Sequence, residues 1–307
     1  MIFRRGTRLG TSEIWRIGAL LAAALLPLAI LNSPVANAAP RAVACPPILF
    51  LGAHGVNEGT TSGGTQDDVA HWGAEMETVW TAFYSNGVDA KAEAVNFPEI
   101  KINLSPTGPS PWTTLLAEVV STQPATTAGA QSLVSQMWDT YLSCGSSTSF
   151  VLAGYSQGAW LIDMALRQLA ADGPVGKAAL ANTKAVFLMG DPAWPSTTQN
   201  PNREGIATWA GLGYSSEKAY LANGVSNFRS MCVSYAGGHF DPVCLGQSLL
   251  NPLDWSGFKA DLCIHYSYAS RSYEKQNDSC LGVTDLRNGI AANGGNWLAT
   301  QIGGSAG

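Results

Sequence analysis

The pentapeptide Gly154–Gly158 reads Gly-Tyr-Ser-Gln-Gly, and with its flanks it restricts the fold more than any other segment of the chain. Apolar residues 150–153 precede it and predict a buried strand, whereas residues 159–166 have a helical pattern. A Gly-x-Ser-x-Gly turn between a strand and a helix is typical of a nucleophile elbow, which presents Ser156 at the top of a sheet. The N–H of Gln157 would then begin the helix. The alternative is an ordinary glycine-bounded loop, because the short pattern also occurs by chance.

The first 38 residues have the pattern of a secretory signal peptide. A basic start is followed by the apolar run Ile17–Leu31 and by Ala36-Asn37-Ala38, so cleavage before Ala39 is expected. A membrane anchor is the alternative, but the run is short for a span and contains Pro27. The pair Arg4-Arg5 leaves a twin-arginine export route open beside general secretion. We therefore expect a secreted protein without a stable membrane span.

The charge balance of residues 39–307 argues against one class of partner. Residues 1–38 hold four of the 17 basic and one of the 22 acidic residues, so the rest carries a net charge of −8 with neutral histidines. An acidic chain without a Lys/Arg cluster argues against nucleic acid as a partner.

The length of the chain suits one α/β domain with a substantial core, and we expect a monomer.

Buried-strand patterns alternate with helical patterns, which predicts a parallel sheet covered on both faces. The predicted strands are residues 48–51, 90–97, 150–153, 185–189 and 228–235. The predicted helices are residues 67–84, 127–142, 159–166 and 286–302, the last weakened by Gly294 and Gly295. Residues 98–114 are predicted to be a loop, and residues 193–226 are predicted to be the largest irregular insertion of the domain.

A serine hydroxyl is a weak nucleophile at neutral pH and needs a histidine base oriented by a carboxylate. In chains with this elbow, the acid and then the histidine follow the serine. His239 and His265 lie downstream of Ser156, and His265 is favoured because a disulfide at Cys263 would hold its loop. His239 lies only two residues before Asp241, too close for the usual geometry.

Two carboxylates compete for the role of the acid. Asp191 follows the predicted strand 185–189, and Asp241 follows the last predicted strand. Both lie where catalytic loops occur in open α/β folds, so spacing alone leaves the choice open. This chemistry requires neither a metal nor an organic cofactor.

All six cysteines lie beyond the predicted signal peptide. An even number in an exported chain predicts three disulfides, for which fifteen pairings are open. A zinc site is the alternative, but the chain has no Cys-x-x-Cys pair and its histidines are not at ligand spacing. The cysteines are Cys45, Cys144, Cys232, Cys244, Cys263 and Cys280.

Several motifs, in order over residues 44 to about 300, resemble those of the cutinase family. Tyr155 and Gln157 make the nucleophile motif more specific than a bare Gly-x-Ser-x-Gly. Asp241-Pro242-Val243-Cys244 resembles the family's acid motif, and His265 with Tyr266 and Tyr268 resembles its histidine segment. The resemblance implies a lidless three-layer α/β/α sandwich with a central, mainly parallel five-stranded sheet. It also implies serine-dependent hydrolysis of carboxylic esters.

The same resemblance assigns the remaining site residues. It implies Asp241 as the acid, with Ser156 and His265 as its partners, and the N–H groups of Gln157 and Val56 as the oxyanion hole. The disulfides that it implies are Cys45–Cys144, Cys232–Cys244 and, with these two formed, Cys263–Cys280. Candidate substrates are cutin-like polyester, lipid, cell-envelope esters and esters of short or medium acyl chains.

One segment departs from the family pattern. The family commonly has an Arg-Gly-Ser/Thr loop ending in Glu after the first strand, and here His54-Gly55-Val56-Asn57-Glu58 takes its place. Val56 supplies an N–H but no hydroxyl. Because the loss of one oxyanion donor lowers the rate by about 10²–10³, a slower reaction of the same type is expected. His54 is expected to be structural. The alternatives are an acyltransferase with the same acyl-enzyme, or a weakened secreted binding module of this fold.

Overall fold

A computed structural model describes most of the residues that form the predicted sheet and its covering helices. The described residues are 45–56, 58, 72–98, 111–192, 203–204, 224–232, 241, 243, 265, 268 and 290–303, with only the backbone of 111–120 and 203–204. The predicted signal peptide, 1–38, and most of the predicted insertion, 193–226, lie outside these residues.

Five strands form the predicted parallel sheet, and a very short sixth strand lies at one edge. The strands are β1 (Ile48–Ala53), β2 (Ala90–Ala94), β3 (Ser149–Tyr155), β4 (Thr183–Met189), β5 (Arg203–Glu204) and β6 (Phe228–Met231). Their order is β2-β1-β3-β4-β6-β5, and every adjacent pair is parallel. The five-stranded parallel sheet is confirmed, and β5 is a short ordered piece of the segment predicted to be irregular.

Helices cover both faces of the sheet. They are α1 (Gly73–Ser85), α2 (Pro111–Cys144), α3 (Gln157–Ala171), α4 (Gly173–Ala181) and α5 (Ile290–Gln301). Side chains of β1, β3 and β4 alternate between two apolar cores, because successive strand residues point to opposite faces. One core joins the strands to α2, α3 and α4, and the other joins them to α1 and α5. This is the three-layer arrangement predicted from the sequence.

The glycines that weakened the prediction of α5 are required by its packing. A Cβ atom on Gly294 would overlap the ring of Phe187, and one on Gly295 would overlap the backbone of α1 at Val79. These glycines therefore lower helix propensity but let α5 pack closely against β4 and α1.

The start of α2 contradicts two predictions. The helix begins at Pro111, so residues 111–114 are helical rather than part of a loop, and the predicted start at Thr127 is too late. Pro124 lies inside the helix, although it has no N–H to donate to the preceding turn. Inside the helix, the hydroxyls of Thr126 and Thr127 donate to the carbonyls of Thr122 and Gln123 four residues earlier. The second strand is also shorter than predicted, since β2 ends at Ala94.

One of the implied disulfides is confirmed. Cys45, before β1, is bonded to Cys144 at the end of α2. Cys232 also forms a disulfide, but its partner is outside the described residues. The implied pairs Cys232–Cys244 and Cys263–Cys280 therefore stay predictions.

Candidate active site

The segment around Ser156 forms a sharp strand-to-helix turn. β3 ends at Tyr155 and α3 begins at Gln157, so Ser156 occupies the turn alone. Its φ of 53° makes it the one non-glycine residue with positive φ in the described part of the chain. Such a conformation costs about 1–3 kcal/mol and persists only where surrounding contacts impose it. The Ser156 N–H donates to the Met189 carbonyl at 2.8 Å, which ties the turn to the end of β4.

The two glycines of the turn are required by close contacts. A Cβ atom on Gly154 would lie 2.7 Å from the carbonyl oxygen of Gly158. A Cβ atom on Gly158 would overlap the carbonyl oxygen of Ala53, at the end of β1. The glycines thus let the first turn of α3 pack directly against the β1 strand end, which brings the loop after β1 beside Ser156.

Ser156, His265 and Asp241 form a continuous hydrogen-bonded series. The Nε2 atom of His265 lies 2.8 Å from Ser156 Oγ, and its Nδ1 atom lies 3.0 and 2.9 Å from the two Asp241 carboxylate oxygens. A carboxylate only accepts hydrogen bonds, so Nδ1 carries the proton and Nε2 accepts from the serine hydroxyl. The arrangement can therefore take up the serine proton.

The His–Asp pair is enclosed. Asp241 is fully buried and His265 is 3% exposed. The Val243 N–H donates to Asp241 Oδ1 at 2.8 Å, and the Tyr268 hydroxyl donates to Oδ2 at 2.7 Å. The Tyr155 hydroxyl donates to the His265 carbonyl at 2.7 Å, and its ring stacks on the imidazole. Both tyrosines belong to motifs that resemble the family's, but the sequence alone did not predict that they contact the catalytic candidates.

The other candidate acid lies nearby but is not the partner of the imidazole. Asp191 is buried at the end of β4, next to Gly190. Gly190 has a φ of 58°, and a Cβ atom there would lie within about 3 Å of His265 and Asp241. The carboxylate in contact with Nδ1 belongs to Asp241. The geometry therefore favours Asp241, and the alternative histidine, His239, lies outside the described residues.

The loop after β1 provides the other candidate oxyanion donor. β1 and β3 are adjacent and parallel, so this loop and Ser156 lie at the same edge of the sheet. Val56 is partly buried in the turn, and the preceding Gly55 N–H donates to Glu58 Oε2 at 2.7 Å. Gln157 is 3% exposed, and its side-chain amide donates to Thr126 Oγ1 at 3.1 Å. His54 stacks on Phe97 at 4.5 Å between ring centres, as a packing residue would.

A model of the Cutinase family matches residues 44–277, about three quarters of the chain. The chain belongs to the cutinase family. It is accordingly a carboxylic ester hydrolase. A search of curated proteins found no match.

Solved structures that match this chain include a cutinase-like protein, an acetyl xylan esterase and a cutinase. A cutinase-like protein from Cryptococcus sp. is 18% identical, with a TM-score of 0.53, and the match covers 86% of this chain and 99% of that one. The catalytic core domain of acetyl xylan esterase from Trichoderma reesei is 22% identical, with a TM-score of 0.44 and coverage of 72% and 97%. Trichoderma reesei cutinase is 15% identical, with a TM-score of 0.44 and coverage of 84% and 77%. At 18% identity the likeness to the Cryptococcus protein is one of fold alone.

Nothing in the described part of this cutinase-family chain suggests a metal centre or a membrane span. Its His, Cys, Asp and Glu side chains form no group of three or more suited to a metal ion. Among the helices described, none combines the length and apolar character needed to cross a bilayer.

Two carboxyl groups meet beneath the β1 loop of this cutinase-family chain. The pKa of Glu58 is raised well above its usual 4.5, first because its carboxyl is enclosed and second because Glu75 repels a second negative charge. A hydrogen bond between the two side chains raises it further, and the Gly55 N–H opposes the shift. Glu75 is buried in the first turn of α1. A protonated Glu58 can therefore hold both the loop and α1.

Glu58→Gln should remove a pH-dependent loss of stability. Native Glu58 keeps its proton at pH values where the unfolded chain has lost it, so stability falls as pH rises above about 4.5 and levels off beyond the raised pKa. The slope is up to about 1.4 kcal/mol per pH unit. Glutamine can still accept from Gly55 and donate to Glu75. We expect the difference in unfolding free energy, variant minus wild type, to increase across this range in urea titrations.

The matched control is Glu77→Gln, which removes the same charge from an exposed position of α1. We expect no pH-dependent gain in that variant. If both variants follow the wild-type curve, the raised pKa of Glu58 makes no measurable contribution to stability.

Proposed function

We propose that this chain is a secreted serine esterase in which Ser156 is the nucleophile, His265 the general base and Asp241 the carboxylate that orients it. The observation that carries the proposal is the unbroken contact from Ser156 Oγ through the imidazole to Asp241. A strained serine at a strand-to-helix turn supports the same assignment. Membership of the cutinase family supplies the ester as the substrate class.

Each step of the proposed reaction uses a group of this chain. Ser156 Oγ attacks the ester carbonyl carbon while His265 Nε2 accepts the hydroxyl proton, which forms a tetrahedral oxyanion. His265 then protonates the alkoxide leaving group as the ester C–O bond breaks, and an acyl-serine remains. Water then attacks the acyl carbonyl carbon while His265 accepts its proton. His265 returns the proton to Ser156 Oγ as the acyl C–O bond breaks and the carboxylic acid is released.

The proposed oxyanion donors are the backbone N–H groups of Gln157 and Val56. Gln157 lies in the first turn of α3, where N–H groups have no partner within the helix and the helix dipole favours negative charge. Val56 lies in the β1 loop, which Gly158 allows to pack against the elbow. Since Val56 has no hydroxyl, the proposed site stabilises the oxyanion with backbone donors.

Reaction with an activated phosphonate ester tests the assignment. The probe should inactivate hydrolysis of p-nitrophenyl butyrate and leave one phosphonyl group on the peptide that contains Ser156, detected by mass spectrometry. Chemically unfolded protein is the control, because labelling requires the assembled site. An adduct on another serine, or undiminished hydrolysis by fully labelled protein, would contradict the proposal.

The natural substrate and the site of action belong to the same proposal. Polyester, lipid, cell-envelope esters and simple esters of short or medium acyl chains all contain the reactive carbonyl, and relative kcat/KM values across acyl lengths would rank them. Export follows from the signal-peptide pattern of residues 1–38, and sequencing the N-terminus of the exported protein tests cleavage before Ala39.

A further inference from the structure

The carboxylate of Asp241 is bound at both of its oxygens by donors other than the histidine. The Val243 N–H donates to Oδ1 at 2.8 Å, and the Tyr268 hydroxyl donates to Oδ2 at 2.7 Å. His265 Nδ1 lies almost equally far from both oxygens, at 3.0 and 2.9 Å. The terminal torsion of an aspartate is broad. Two donors, one on each oxygen, therefore fix the plane in which the carboxylate meets the imidazole.

The tyrosine that supplies one of these donors is held by the scaffold. Tyr268 is fully buried, and its ring lies against Tyr155, with 5.9 Å between ring centres. Its carbonyl accepts the N–H of Ala291, in the first turn of α5, at 3.3 Å. The donor is thus tied to a helix that packs on the sheet, not only to the loop that carries His265.

We propose that Tyr268 is a positioning residue of the esterase, acting on His265 through the carboxylate of Asp241. This inference rests on the proposed catalytic roles of Ser156, His265 and Asp241. The hydroxyl holds Oδ2 in place and takes up part of the carboxylate's charge. Both effects act on the imidazolium that forms when His265 accepts the serine proton.

Few other titratable groups face this carboxylate among the described residues. His265 contacts it directly, and Tyr155 lies behind the imidazole with its hydroxyl on the His265 carbonyl. Asp191 is buried at the end of β4, beyond Gly190. Among the residues that the structure describes, the titratable side chains shown to bond to Asp241 are those of His265 and Tyr268.

The test replaces Tyr268 with Phe, which keeps the ring and removes the donor. For p-nitrophenyl butyrate we expect kcat to fall about tenfold with KM unchanged, the order of one hydrogen bond to a charged group. The fall is expected because the loss of the fixed carboxylate plane outweighs the stronger attraction of the carboxylate for the imidazolium. We also expect the acid limb of the kcat/KM profile to move to higher pH, because a carboxylate with one donor fewer holds the imidazolium proton more strongly. Thermal unfolding checks that the variant is folded.

The matched control is Tyr155→Phe, at the end of β3, which removes another buried hydroxyl that contacts His265. That hydroxyl contacts a backbone carbonyl and not the carboxylate, so its loss should leave the acid limb where it is. If the acid limb stays in place in the Tyr268 variant, or moves equally in both, the tyrosine supports only the packing and the proposal is wrong.

A double-mutant cycle gives a second readout that is independent of stability. In an Asp241→Asn background, Tyr268→Phe should lower kcat no further, because the carboxylate through which Tyr268 acts on His265 has been removed. Additive losses would contradict the inference. Phosphonate labelling of Ser156 distinguishes failure of this inference from failure of the proposed function. If Ser156 is labelled and the Tyr268→Phe variant behaves as the wild type, only the role of Tyr268 is wrong. If Ser156 is not labelled, the proposed function itself is wrong.

Discussion

Ser156→Ala should lower kcat for p-nitrophenyl butyrate by about 10⁶-fold, to the residual rate that binding and oxyanion donors alone provide. The substitution removes the one oxygen that lies 2.8 Å from His265 Nε2, so no acyl-enzyme can form at this position. Stopped assays with high enzyme concentration can measure the remaining turnover. No accumulation of acylated protein should be detected by mass spectrometry.

Alanine is the informative replacement because it keeps the strain of the elbow. Like serine, alanine has a Cβ atom and must adopt the same φ of 53° imposed by the contacts to β4. The midpoint of thermal unfolding should therefore stay near that of the wild type. A folded variant that retains more than a hundredth of the wild-type kcat would exclude Ser156 as the nucleophile.

The parts of the site marked by local sequence could be predicted. The elbow needs only a buried strand, a glycine-bounded serine and a helix start, all within residues 149–171. His265 could be chosen because chain order and a neighbouring cysteine restrict the candidates. The parallel sheet followed from the alternation of apolar strands and helices, since such strands are buried on both faces.

The remaining features depend on contacts between distant segments. Asp191 and Asp241 both follow strands, and only the tertiary fold decides which carboxylate meets Nδ1. Tyr268 and Asp241 are 27 residues apart in the sequence. At such a separation, spacing alone does not predict whether two side chains are in contact. The start of α2 was not predicted, because residues 98–114 are rich in Pro, Ser and Thr and resemble a loop, whereas the helix begins at Pro111 and continues through Pro124.

Asp241→Asn should lower kcat by about 10⁴-fold, chiefly because it reverses the tautomer of His265. The Val243 N–H can only donate, so the amide oxygen of the asparagine must take the Oδ1 position. Its NH₂ group then takes the Oδ2 position, where the Tyr268 hydroxyl can rotate and accept. That NH₂ group also faces His265 Nδ1, where an N–H would meet another N–H, so the tautomer without a proton on Nδ1 is favoured. Nε2 then carries the proton and cannot accept one from the serine.

Asp191→Asn is the matched control, since it changes another buried carboxylate at the same edge of the sheet. We expect its kcat to stay within about tenfold of the wild type, because His265 keeps its partner. Steady-state assays on both variants, together with their thermal midpoints, compare the two acids. A 10⁴-fold loss in the Asp191 variant alone would reverse the assignment. Equal losses would mean that the two carboxylates act as one unit, and Asp241 could then not be called the sole orienting acid.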